Sequence, residues 1–184
     1  MNFPKNKGIT FIELLVSLSV LAITASFAVS SFSSYIKDRR IDETSDHIRD
    51  SLKLARSNAV MGDGGRLIPD ATNGWGQWEV QDQGNNIVYR SQPASRTKVA
   101  VNRGTVDANG ELSWANIPIL NPEEIQFSAL GALRIKSAAV VSPLAGVVFD
   151  VCSEGDDRPG KQIFVSQLGW INTKTCDCTS EVCN

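Results

Sequence analysis

Between Ile9 and Ile36 the chain holds a single charged residue, Glu13, and neither glycine nor proline. As a helix rising ~1.5 Å per residue this run is roughly 40 Å long, more than the ~30 Å of a bilayer's hydrocarbon core. Lys5 and Lys7 precede it, and Lys37, Arg39 and Arg40 follow it. A carboxylate so close to the start of an apolar helix is the anomaly. It costs about 2.5–3.5 kcal/mol at mid-membrane and less near the interface. A segment that served only as an anchor would have no use for it, so Glu13 requires a partner charge.

Three readings compete for this run. A secretory signal peptide would have the basic start, the apolar middle and small residues at Ala28 and Ser30. A plain membrane anchor would need only length. The third reading accounts for Gly8 and Glu13 together: the segment resembles the class III signal of type IV pilins and pseudopilins. In that family a short basic leader ends in glycine, here Gly8, and the mature chain opens on a hydrophobic residue, here Ile9. The family glutamate falls five residues in, here Glu13, and Leu14, Leu15, Val16, Leu18, Leu21 and Ile23 are similar to its apolar helix. Ile9 stands where the family usually has Phe. The resemblance implies cleavage after Gly8 and N-methylation of Ile9 by a prepilin peptidase/methyltransferase. The physical logic is separable from the family. Cleavage creates an ammonium at Ile9, and a neighbouring subunit's Glu13 can neutralise it in a low-dielectric filament core.

The chain has 184 residues, a net charge of −2 and four cysteines. That length accommodates one domain with a real core besides the helix. The charge gives no basic surface for nucleic acid, so no nucleic-acid partner is expected. Cys152, Cys176, Cys178 and Cys183 suit an oxidising compartment, periplasm or cell exterior. A Cys176–Cys178 bridge is sterically poor, which leaves Cys152 to join Cys176 or Cys178, and less readily Cys183. The preferred set is Cys152–Cys176 with Cys178–Cys183. A metal knuckle in the tail lacks a second ligand pair, and the one histidine, His47, sits on a predicted helix. No metal and no cofactor are expected.

Past Ile36 the helical pattern continues. Ile41, Ile48, Leu52, Ala55 and Ala59 form one stripe, charged residues cover most of the rest, and Gly62-Asp63-Gly64-Gly65 stops the run. One helix is predicted over 9–61. Short strands then alternate with turns. Gln77 to Val80 and Ile87 to Arg90 flank a hairpin turn at 82–86. Thr97 to Asn102 follows, with Val99 and Val101 on one face, and then a turn at 107–110. Further strands cover Glu124 to Ser128 (Ile125 and Phe127 inward), Ala132 to Ile135, Val147 to Val151 and Ile163 to Gln167, with a long polar loop over 153–160. About seven strands after one long helix give an α+β fold: a curved, mostly antiparallel sheet system wrapped on the helix's apolar stripe. The organisation read from this is a leader at 1–8, a helix at 9–61 whose 9–36 part spans the membrane or filament core, a β-rich periplasmic domain at 62–175, and a Cys-rich tail at 176–184.

The domain resembles the GspH/FimT family of minor pilins and pseudopilins, closest to its FimU-like minor pilins. The matching stretches are 52–60, Gly74-Trp75-Gly76-Gln77-Trp78-Glu79-Val80 with Asp82, 125–131, Phe149-Asp150-Val151-Cys152 and 163–169. The resemblance implies a non-enzymatic subunit held by the bacterial inner membrane and then placed near a pilus tip, where it helps start assembly. Its partners would be other minor pilins and the major pilin, through helix–helix packing. A GspH-type pseudopilin of a type II secretion system is the alternative.

A DNA-uptake receptor is a weaker one, because Gly169-Trp170-Ile171-Asn172-Thr173-Lys174-Thr175 has one lysine where DNA-binding members show arginines, and phosphate contacts need several cations. A Ser-His-Asp set would need His47, whose acidic and basic neighbours indicate a solvated helix face. Trp75 and Trp78 could stack on a sugar or base, but core packing or hairpin pinning explains them better. Asp107, Asn109 and Glu111, or Glu154, Asp156 and Asp157, offer too few oxygens for calcium, and turn chemistry accounts for both groups.

Overall fold

A computed structural model describes residues 9–106, 112–118, 124–136, 144–179 and 182–183, with the backbone alone for 27–31, 103, 105–106, 112–118, 136, 144–145 and 182. The chain divides into two compact units, Met1–Asp38 and Arg39–Asn184. Helix α1 runs from Phe11 to Met61. It ends because the Asp63 amide donates to the Asn58 carbonyl (3.0 Å) and the Gly62 amide to that of Ala59 (3.2 Å). This two-bond closure requires a left-handed residue, and Gly62 supplies it at φ 94°.

Among the described residues eleven strands follow: β1 Gly65–Asp70, β2 Gly74–Gln81, β3 Ile87–Ser91, β4 Thr97–Val106, β5 Leu112–Pro118, β6 Glu124–Phe127, β7 Leu133–Lys136, β8 Leu144–Ser153, β9 Pro159–Ser166, β10 Ile171–Thr179 and β11 Val182–Cys183. They form two sheets, of order β3-β2-β1-β6-β7 and β11-β10-β9-β8-β4-β5. Every pairing is antiparallel. The α+β architecture is the expected one, an N-terminal helix packed on a mostly antiparallel β domain, with more strands than the roughly seven predicted. Pro69 and the flanking glycine conceal β1. β10 exposes most of its residues, so it lacks the alternation of a half-buried strand.

Within Arg39–Asn184 the predicted helix stripe is the spine of the core. Ile41, Ile48, Leu52, Ala55 and Ala59 are all buried, together with Leu67, Trp78, Val80, Ile125 and Phe127 of the first sheet. Trp75 and Leu133 of the first sheet and Val101, Val147, Phe149, Val151, Ile163 and Val165 of the second complete the cluster. Each large aliphatic side chain so placed contributes about 1.5–3 kcal/mol. The helix lies so close to β1 that a Cβ at Gly65 would run into the Ala55 carbonyl oxygen.

Trp75 and Trp78 are both core residues, as expected. The register of β1 against β2 jumps from Pro69↔Trp78 to Asp70↔Gly74. This irregularity lets Trp75 and Trp78, three apart, both turn inward. Trp75 meets Phe149 edge to face at 5.3 Å, joining β2 to β8. Trp78 donates its indole N–H to Ser51 Oγ at 2.9 Å. The buried helix face therefore carries small polar residues as well as aliphatics: Ser51 also donates to the His47 carbonyl, and Thr44 Oγ1 accepts the Ala94 amide.

His47 corrects an expectation. It is half-buried rather than on a solvated face, with Nδ1 3.1 Å from Ser91 Oγ. The i, i+4 spacing places it one turn from the buried Ser51, where β3 closes over the helix.

Candidate functional site: the N-terminal helix motif and the disulfide brace

At the start of α1 the sequence Thr10-Phe11-Ile12-Glu13 forms a reciprocal cap. The Glu13 amide donates to Thr10 Oγ1 (3.3 Å), while Glu13 Oε2 accepts both the Thr10 amide and the Thr10 hydroxyl, each at 3.2 Å. Two otherwise orphaned backbone donors are satisfied, and the carboxylate lies at the positive end of the helix dipole. The Thr-x-x-Glu spacing was present in the sequence, yet Thr10 was not singled out. Its role shows that Glu13 has an intramolecular partner as well as any intermolecular one. Gly8 lies outside the described residues; Ile9 is 79% exposed.

Beyond the cap the helix is apolar on all sides and uncovered. Phe11, Ile12, Leu14, Leu15, Val16, Leu18, Val20, Leu21 and Ile23 are all exposed. The hydroxyls among them are internally satisfied: Ser17, Ser19, Thr24 and Ser26 donate to the carbonyls of Glu13, Leu15, Val20 and Ala22 at 2.8–3.0 Å. A Ser or Thr bonded back to i−4 presents little unsatisfied polarity to an apolar medium and leaves a small side chain where another helix can approach. Among the described residues no helix is long and apolar enough to cross a membrane. From the first helical residue, Phe11, the side chains are described without a break to Ser26, about 24 Å of helix.

The cysteines lie at one end of the six-stranded sheet, and their pairing corrects the expected one. The bridges are Cys152–Cys178 and Cys176–Cys183, with Cα separations of 6.0 and 5.4 Å. Cys176 lies opposite Gly160 on β9, and β8 flanks the other side of β9 with Val151 opposite Lys161. Cys152 and Cys176 are therefore held two strand spacings apart, about 9.5 Å, beyond disulfide reach. Cys178 lies two residues further along β10, past the first residue of β9, where no strand separates β8 from β10. A Cβ at Gly160 would meet the sulfurs of both Cys178 and Cys152, so the bridge crosses over this glycine. Cys183 is then left for Cys176. Among the described residues, the grouping of metal-ligand type is Cys152, Cys178 and Cys183, and disulfide formation consumes all three thiols.

Beside this brace lies a buried acid that sequence reasoning missed as a site. Asp150, on β8, is 1% exposed. Its carboxylate accepts from Asn102 Nδ2 (2.9 Å), Gln162 Nε2 (2.8 Å) and the Cys183 backbone N–H. Burial raises its pKa above the ordinary aspartate value, opposed by these hydrogen bonds and by Lys174.

Asp156 pairs with Arg158 Nε at 2.7 Å. The stretch holding Asp107, Asn109 and Glu111 lies outside the described residues. The imidazole of His47 meets Ser91, but among the described residues no carboxylate is bonded to it, so the pair serves as a helix-to-sheet tether. A shallow open cleft lined by Asn58, Asp63, Asp82, Gln83 and Val88 lies remote from both the cap and the disulfides in sequence and carries no such grouping.

No curated protein and no solved structure matches the chain. Residues 3–29, with Gly8, Ile9, Thr10 and Glu13 among them, match the family model described as the prokaryotic N-terminal methylation motif, and that motif points to a type IV pilin or pseudopilin.

Proposed function

We propose that the chain is a minor pilin, a non-enzymatic subunit that helps initiate a type IV filament near its tip. In this reading prepilin peptidase cuts between Gly8 and Ile9 and methylates the new terminus. The inner membrane holds the subunit, by a single pass, until it assembles. The observation that carries the reading is the uncovered apolar helix with one carboxylate, Glu13, in its first turn. Such a surface needs lipid or other helices around it, and the acid needs a cation. The Ile9 ammonium of a neighbouring subunit supplies that cation four residues from the acid's own position in sequence. The two-sheet domain, braced by two disulfides, supports an extracytoplasmic role. The domain's resemblance to the GspH/FimT family favours the tip over the filament shaft.

Mass spectrometry of protein recovered from the native envelope and from sheared filaments tests the proposal. The expected chain begins at N-methylated Ile9 and is present in the filament fraction. A chain beginning at Met1 or beyond Ser30 would overturn it. Presence in filaments only when type II secretion genes are expressed would reassign it to a secretion pseudopilus.

A further inference from the structure

Two hairpin tips from different sheets are fastened together at one edge of the domain. The turn between β6 and β7 and the turn between β9 and β10 meet where the Leu133 amide donates to the Gln167 carbonyl at 2.8 Å. Gly131 and Gly169 face one another there, so closely that a Cβ at Gly169 would strike the Gly131 carbonyl oxygen. The Arg56 side chain of α1 lies against both, its Nε 2.8 Å from where a Gly131 Cβ would stand and 3.1 Å from that of Gly169. Among the described residues no carboxylate pairs with Arg56. Next to these two glycines in the chain are Leu130, Leu168 and Trp170, which are 91%, 68% and 72% exposed. Val60, one turn along the same helix face, is exposed too.

A guanidinium partly withdrawn from water without an anion is costly, and leaving three large apolar side chains in water around it adds to the cost. An arginine beside an exposed tryptophan and two leucines has the composition of an interface centre. The glycines keep the two tips low, so an incoming group can reach the planar donor fork. We infer that this surface docks a segment of a neighbouring filament subunit that presents one carboxylate flanked by apolar side chains. The carboxylate pairs with Arg56, and its flanks cover Leu130, Leu168 and Trp170. One cation beside two leucines and a tryptophan fits a single carboxylate better than a polyanion, whose affinity comes from many phosphate contacts. The inference rests on the filament reading in taking the partner to be another subunit.

The test is photo-crosslinking in cells that assemble filaments, with benzoylphenylalanine at Leu168 of the full chain and the adduct sequenced by mass spectrometry. The expected adduct is a peptide of another filament subunit containing an Asp or Glu between apolar residues. Arg56→Glu should lower its yield by about tenfold or more, whereas Arg56→Lys keeps a larger share. Trp170→Ser, at an exposed position that does not threaten folding, should lower it severalfold. Adducts to nucleic acid or lipid alone would overturn the inference. So would filament entry with no more adduct than a probe at exposed Glu154, or an adduct unchanged by Arg56→Glu and Trp170→Ser. A chain absent from filaments would overturn the filament reading and this inference together, whereas filament entry without the adduct overturns the docking alone.

Discussion

Glu13 and Asp150 are both carboxylates in apolar settings, resolved in opposite ways. Glu13 lies at a helix N-terminus, at the surface of the helix, and accepts from the amide and hydroxyl of Thr10. Glu13→Gln keeps the size and part of the cap but removes the charge. Filament incorporation should fall by about tenfold or more, read by immunoblot of sheared filaments, while the domain's melting temperature stays unchanged. Asp150 is sealed among Asn102, Gln162 and Cys183. Its folded pKa is raised, so between neutral pH and the ordinary aspartate value of 3.8 the folded state binds more protons than the unfolded state. This group's contribution to stability therefore grows as pH falls through the raised pKa and is complete below 3.8. Denaturant midpoints of the wild type minus those of Asp150→Asn should rise on acidification from pH 7 toward 4. At the turn before β3, Asp82 behaves oppositely. The Asn86 side-chain and backbone N–H groups lower its pKa, so its support for the hairpin is present above the ordinary value and lost as pH falls through the depressed one.

At the scale of elements, the join between α1 and the sheets depends on small residues at close range. Gly65→Ala should cost more than about 3 kcal/mol, because the added methyl collides with the backbone of a helix that cannot retreat without opening the core. Urea titration of the purified chain in detergent would measure it. Trp78→Phe should cost about 1–2 kcal/mol, since Ser51 Oγ loses the indole donor while keeping its own bond to the His47 carbonyl. The helix was legible in the sequence because its stripe, its lack of glycine and proline, and its Gly62 stop all agree. Hairpins with strong turn chemistry, such as β2–β3, were legible for the same reason. His47 and the disulfide partners were not. Their surroundings depend on which strand crosses which, and spacing along the chain does not encode that: Cys176 and Cys178 are equivalent until β9 is known to separate only one of them from Cys152.

For the molecule as a whole, the N-terminal methylation motif was the most legible part, because it lies within one short consecutive stretch. The Arg56 surface was the least legible, being built from a helix and two hairpin tips more than seventy residues distant in sequence. Removing the longer bridge by Cys152→Ser with Cys178→Ser should lower unfolding free energy by about 2–4 kcal/mol without abolishing the fold, because the core cluster lies mainly on the opposite face of the sheet. Parallel urea curves with and without a dithiol reductant would show the same loss for the wild type. The backbone N–H that caps Asp150 belongs to Cys183, itself one end of the second bridge. While that thiol is free, the short last strand is untethered and water gains a path to the acid, so its ionisation tracks whether oxidation has been completed. A single carboxyl resonance, followed by NMR through a redox titration, would therefore report the maturation of the entire domain.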